Sequence, residues 1–377
     1  LGGVFQVRAE LKVTLVTYLV LFVIGALAMY SLDLAKEQVF NTSSNFFVKH
    51  VVTMAVSLFL MLIVKNIPFS FYERYDKWLY AIGIILLGVV FLFPPINGAH
   101  RWIHIGGFTL QPSEFAKIIL ILYLSIYAKK HKAKMSEVWT GMLLPLLYAL
   151  VYVGLIVLEP NLSTAIFTFL IASLTLYYGG TKLRYFLVAV VVIVIAVVIA
   201  STTGLLHSYQ LGRLRYFFSG ELAPQVEIAL KTLKNSGPTG VGIGNGWLKV
   251  YVPEAESDFV LAVIGEDFGF FGIVLVCVMY MFLSYSLMRL GSYIEDTALR
   301  VFTWSYATVI LFHVTINLGV FAGLFPVTGI PLPFISTGGS SMMALLIGFG
   351  IVLSGLFGKE ENEKRENIRI SKEGESM

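Results

Sequence analysis

Three carboxylates fall within five residues in Pro253-Glu254-Ala255-Glu256-Ser257-Asp258-Phe259, where the longest polar segment of the chain meets an apolar run. Acids kept at such a junction suit proton transfer to or from a substrate presented at a membrane surface, because a partly dry carboxyl holds its proton toward neutral pH. Asp258 could equally be an N-cap, since an Asp just before an apolar helix accepts a backbone N–H. Glu266, eight residues on and near the same helix face, would support the helix start or touch substrate.

Other residues invite chemistry less directly. Glu114 and Lys117 stand three apart inside an apolar run, on one helix face, where they can pair. Charges at that depth are costly and face a bundle interior or a wet cavity, so the two are a functional site or a structural ion pair. Gly240-Val241-Gly242-Ile243-Gly244-Asn245-Gly246 resembles a phosphate loop, but it follows no strand and lacks the Gly-Lys-Ser/Thr ending. A tight re-entrant turn is the better reading. His100 and His104 have helical metal-ligand spacing without a third ligand nearby, so interface anchoring is expected and no metal site. The segment from Thr328 to Ser341 places Gly and Ser at a helix start, which suits an anionic phosphate or simply close helix packing.

The elements that must position these groups are membrane helices. Of 377 residues, 57% are hydrophobic and only 13% charged, which excludes an ordinary soluble domain and implies a polytopic membrane protein. A lone Cys277 in an apolar run rules out a disulfide framework or a cysteine-based zinc site. The net charge of +4 does not point to nucleic acid, because the basic residues gather at the ends of apolar runs. The chain opens on Leu1 rather than Met, as a trimmed start would, and no cleavable leader is read.

With a ruler of roughly 20 apolar residues per span, the sequence predicts an all-α integral membrane protein with ten transmembrane helices, at 13–32, 46–64, 78–97, 112–128, 138–158, 162–181, 185–206, 259–288, 301–322 and 335–358. The fourth is too short unless it takes in Glu114 and Lys117. The eighth holds a charge-free run at 268–288 long enough to cross alone, so 259–267 either projects outward or lines an outer cavity. An N-in, C-in orientation collects Arg8, Lys12, Lys65, Arg74, Lys77, Lys129, Lys130, Lys132, Lys134, Lys182, Arg184, Arg289, Arg300 and the tail bases on the cytoplasmic side. Residues 1–358 then form one polytopic domain, with a large extracytoplasmic loop at 207–258 whose apolar–polar alternation argues against disorder. The charge-rich 359–377 reads as a disordered cytoplasmic tail.

Together these motifs resemble one family. Gly98-Ala99-His100-Arg101-Trp102-Ile103, Gln111-Pro112-Ser113-Glu114-Phe115-Ala116-Lys117, the Pro253-to-Phe259 stretch with Ala262-Val263-Ile264-Gly265-Glu266, and Pro331 to Ser341 are similar, in order, to the signatures of the SEDS (shape, elongation, division and sporulation) proteins. Gly244-Asn245-Gly246 with Lys249, and Ile264-Gly265-Glu266, are closer to its division members than to its elongation members. The resemblance implies a membrane glycosyltransferase of the bacterial cytoplasmic membrane, its active site facing outward. Such an enzyme polymerises lipid II into peptidoglycan strands beside a class B penicillin-binding protein and other division proteins. It implies Asp258 as the catalytic carboxylate, and a substrate site drawn from Arg101, Glu114, Lys117, Arg213, Lys249, Glu266, Ser336, Gly338, Gly339 and Ser340.

The chemistry fits that assignment. Transfer to a sugar hydroxyl needs a base at the acceptor oxygen, and a lipid pyrophosphate leaving group needs cations, for which Arg101, Lys117 and Arg213 are suited. A divalent cation could assist, although the sequence displays no site for one. Departures fall mainly in the large loop and its neighbours. The family's His-Thr-Asp is Glu256-Ser257-Asp258 here, its Pro-Asp-Leu-Gly-Thr is Pro160-Asn161-Leu162-Ser163-Thr164, and its loop signatures survive only as Gln225 and Gly237. The competing classes are an elongation polymerase, a lipid II flippase and a scaffold that only recruits the crosslinking enzyme. A flippase should carry charge through the midplane, whereas these acids crowd one end of a helix.

Overall fold

The computed structural model describes residues 2–95, 99–105, 108–202 and 208–374. Helices stand where the apolar runs were read: α1 (Gly2–Phe40), α2 (Phe46–Lys65), the short α3 (Phe69–Arg74), α4 (Asp76–Val89), α5 (Pro112–Lys130), α6 (Leu144–Leu158), α7 (Leu162–Tyr178) and α8 (Leu183–Thr202). They continue with α9 (Ser208–Ser219), α10 (Pro224–Ser236), α11 (Val260–Ser292), α12 (Thr297–Phe321) and α13 (Gly339–Gly374). Among the described residues six helical segments are long and apolar enough to cross a membrane. They are Gln6–Phe40, Phe46–Lys65, Trp139–Leu158, Val260–Ser292, Thr297–Phe321 and Gly339–Phe357. The end of the expected seventh span and the start of the large loop, at 203–207, lie outside the described residues, as do Gly98 of the first motif and 375–377 of the tail.

The all-α expectation needs one correction. Ile103–Ile105 (β1) and Phe108–Leu110 (β2) pair antiparallel, with Ile103 opposite Leu110 and His104 opposite Thr109. β-branched and aromatic residues around a glycine pair favour a hairpin over an irregular interfacial segment. His100 and His104 therefore share no helix face: His100 Nδ1 bonds the Phe93 carbonyl at 2.9 Å and His104 faces Thr109. The backbone of α13 is helical to Gly374, in keeping with the good helix formers Glu, Lys and Arg near its end.

Local chemistry explains the helix ends. Asn161 accepts the Thr164 N–H and Asp296 the Leu299 N–H, capping α7 and α12, and Pro112 opens α5, where a missing N–H costs nothing. The packing is centred on α5, buried along nearly its whole length against α4, α7, α12 and α13. At one end of α5, Lys129 binds both Glu73 and Asp296 at 2.5 Å, and Lys130 binds Asp76 at 2.6 Å.

The eighth run carries a break that its apolar pattern does not announce. α11 is broken at Gly269, whose φ of 68° and ψ of −160° are open only to glycine. The break frees backbone groups, and the segment before it satisfies them. Val241 and Gly242 N–H donate to the Glu266 and Asp267 carbonyls at 2.9 Å, while Phe270 and Phe271 N–H donate to the Gly237 and Pro238 carbonyls. The glycine run is thus a turn wedged into a helix break, with positive φ at Gly240, Gly242 and Gly244.

Candidate active site

Asp258 sits half-buried in a tight turn directly before α11. The turn is closed by the Glu254 carbonyl, which accepts from Ser257 N at 3.0 Å and Phe259 N at 3.1 Å, and Glu254 itself has a φ of 56°. The capping alternative does not hold. Phe259 is the N-cap residue and no side chain caps α11, so the Asp258 carboxyl is left for other work. Burial pushes that carboxyl up to about 7 from its ordinary value; Glu254 adds to the rise, Arg213 opposes it and Glu256 adds again.

Four elements converge on this turn. From α9, Arg213 supplies positive charge. The Thr328-to-Ser341 segment lies alongside: a Cβ on Gly329 would stand 3.5 Å from Asp258 Oδ2, and Thr337 donates through N (2.8 Å) and Oγ1 (2.9 Å) to the Glu256 carbonyl. From α12, Asn317 Nδ2 donates to the carbonyls of Asp258 (2.8 Å) and Ile330 (2.9 Å). Lys36 of α1 pairs with Glu256 at 3.8 Å.

Glu114 and Lys117 do pair, at 2.7 Å with both side chains buried, and the structure adds a member that the sequence reading missed. His313 of α12 places Nε2 3.4 Å from Lys117 Nζ and Nδ1 3.3 Å from the Pro331 carbonyl. The same Nε2 stands 4.0 Å from Glu114 Oε2, so the imidazole completes a three-residue polar cluster. Lys117 also lies over the Phe167 ring at 4.6 Å. Because His313 and Asn317 are four apart, one face of α12 touches both the Lys117 cluster and the Asp258 turn.

Several expected substrate contacts lie inside the protein instead. Lys249 is fully buried, bonding Ser31 Oγ at 2.6 Å and pairing with Asp267. The Glu266 carboxylate accepts the N–H groups of Leu248 (2.7 Å) and Lys249 (3.0 Å), fastening the loop to α11. Both face the helix break rather than the Asp258 turn, since a side chain at a helix start is as available for internal bonds as for substrate. Ser336 Oγ donates to the Leu332 carbonyl, and Ser340 Oγ accepts from Gln111 N and donates to the Thr109 carbonyl, tying the hairpin to α13. Gly338 and Gly339 are half-exposed; a Cβ on Gly338 would press on Pro331 at 2.9 Å, so close packing accounts for Gly338, whereas a Cβ on Gly339 would make only ordinary contact with Thr53.

Arg101 reaches the α6–α7 turn, donating from Nε to the Glu159 carbonyl at 3.2 Å and from Nη2 to that of Pro160. Glu159 is wholly buried and its carboxyl oxygens take no hydrogen bond among the described residues. Burial pushes it up to about 8, against the pull of Arg101.

Comparisons with known proteins identify the family. The family model described as cell cycle protein, for the FtsW, RodA and SpoVE group, matches residues 12–357. A probable peptidoglycan glycosyltransferase FtsW of Trichlorobacter lovleyi is 31% identical over 326 residues, covering 84% of each chain. The peptidoglycan glycosyltransferase MrdB of Escherichia coli K12 is 32% identical over 80% of this chain and 83% of its own. A solved structure described as the coordination of polymerization and crosslinking by a peptidoglycan synthase complex superposes with a TM-score of 0.69 and 26% identity, over 94% of this chain and 96% of that one.

Proposed function

The chain belongs to the FtsW, RodA and SpoVE family of cell cycle proteins, and from that premise we propose that this peptidoglycan glycosyltransferase polymerises lipid II at the outer face of the cytoplasmic membrane, for septal wall synthesis. It is a multi-pass membrane protein. The proposal takes the apolar runs as ten spans with both termini inside, residues 1–358 as one domain and 359–377 as a cytoplasmic tail. The observation that carries it is Asp258: a half-buried carboxyl that caps nothing, is raised to about 7, and has the charge of Arg213 acting on it.

In this reading Asp258 takes the proton of the acceptor sugar hydroxyl as that oxygen attacks the anomeric carbon of the donor. The bond to the lipid pyrophosphate breaks, and the leaving group keeps the electron pair. A base with a pKa near the working pH is about half ionised there and still strong enough to accept the proton. Arg213, next to Asp258, is placed to stabilise the developing negative charge. Lys117 pairs with Glu114 and touches His313, whose Nδ1 meets the Pro331 carbonyl next to the Ile330 carbonyl that Asn317 binds. A class B penicillin-binding protein is the proposed partner, supported by the resemblance to a peptidoglycan synthase complex.

The test is strand synthesis from purified lipid II, with and without a cognate class B partner. Glycan strands in the presence of the partner are expected. Labelled lipid II crossing a vesicle bilayer with no strands under either condition would favour the flippase.

A further inference from the structure

Asn317 is an amide in an apolar helix, 2% exposed, and nothing in the motifs singles it out. Its two amide hydrogens are both committed, one to the Asp258 carbonyl at 2.8 Å and one to the Ile330 carbonyl at 2.9 Å. Its Oδ1 is buried and takes no hydrogen bond among the described residues. Two chain segments that approach the active site from opposite sides of the sequence are therefore joined through one side chain. The Asp258 turn has few other restraints from the bundle. Glu254 closes it locally, and Thr337 and Lys36 hold Glu256, two residues away.

We propose that Asn317 is a positioning residue: by binding the backbone of Asp258 and Ile330 together it fixes the Asp258 carboxyl against Gly329 and toward the acceptor hydroxyl. The inference rests on Asp258 being the base. The geometry favours a role in aim over a role in bulk stability. Leu261, Val260 and Phe259 are already buried and anchor the start of α11, so loss of the amide frees the turn while leaving the helix in place. Misplacing a catalytic group by about 1 Å costs on the order of 10²-fold in rate. His313, one helical turn earlier, holds the neighbouring Pro331 carbonyl, so the same face of α12 sets the other side of that junction.

The experiment is a double-mutant cycle on full-length protein in lipid nanodiscs with its class B partner, using purified lipid II. Asn317→Ala and Asn317→Ser are each made in the wild-type and Asp258→Asn backgrounds, with long incubations to read residual turnover. Expected are a fall in maximal turnover of about 10- to 100-fold for Asn317→Ala, a smaller fall for Asn317→Ser, which keeps one donor, and KM within about 3-fold. In the Asp258→Asn background neither change should lower the residual rate further. Two outcomes overturn the inference: wild-type turnover in folded Asn317→Ala, or a further loss of 10-fold or more on top of Asp258→Asn. If Asn317→Ala fails to fold, the Asn317→Ser cycle decides by the same criterion. Full polymerisation by Asp258→Asn alone is a separate result, which removes the catalytic reading whatever the Asn317 variants do.

Discussion

The Glu114–Lys117 pair offers a quantitative test of how the core of the bundle is built. Glu114→Gln and Lys117→Met keep the side-chain volumes and delete one charge each, while the double variant deletes both. The pair is 2.7 Å apart with side-chain exposures of 4% and 7%, so either single change leaves an uncompensated charge in the interior. Breaking a buried pair from one side costs about 3–5 kcal/mol. At about 2 °C per kcal/mol, each single variant should melt about 6–10 °C below wild type. The double variant leaves no orphan charge and should melt closer to wild type than either single variant, which requires a coupling at least as large as one single-variant loss, about 3–5 kcal/mol. Thermal unfolding in nanodiscs, followed by tryptophan fluorescence, measures all four corners. Strand synthesis on the same preparations should stay low in the double variant, because Lys117 is gone from the cluster with His313. Additive melting losses would refute the pairing argument, and recovery of activity together with stability would show that the pair is only structural.

Three further outcomes are expected. Turnover at saturating lipid II should rise about tenfold per pH unit below about 7 and level off above it, since Asp258 acts only when ionised and burial holds its pKa up to about 7. Removing the opposing cation with Arg213→Gln should move that midpoint to higher pH, and a flat profile from pH 5.5 to 8.5 would contradict the base. Gly269→Ala should abolish most folded yield, because φ is 68° and a Cβ there meets the Pro238 and Gly240 backbone, whereas Gly88→Ala, with open space around it, should melt at or above wild type. In a Cys277→Ser background, cysteine at Ser219 should label with an impermeant thiol reagent from outside and cysteine at Lys132 should not; the reverse pattern would overturn the orientation.

Apolar runs were legible because helices in lipid must satisfy their own backbone and stay apolar for the length of a span. The helix break was not, because Gly269 is one of many glycines in the chain and only the positions of Gly237 to Gly242 beside it reveal the exchange of hydrogen bonds. Asp258 could be found by its crowding with Glu254 and Glu256. Its choice between cap and free carboxyl could not, since that depends on where Phe259 begins the helix. His313 and Asn317 went unread, although a signal was present: two polar side chains four apart in an otherwise apolar stretch mark one inward face. Lys249 and Glu266 were read as facing substrate because charge at a membrane boundary looks the same whether it turns outward or, as here, inward onto Ser31, Asp267 and the Leu248 N–H.

Asp258→Asn tests the central claim most directly. The amide matches the carboxyl in size, and the Asn317 bond to the backbone carbonyl at 258 does not depend on the side chain replaced. Melting temperature, lipid II binding and strand synthesis are to be measured on one preparation with the class B partner present. The account predicts folding and binding close to wild type with strand synthesis lowered by about 10²- to 10⁴-fold, the loss typical of a general base. Strand synthesis at the wild-type rate by folded, lipid II-binding Asp258→Asn would contradict it.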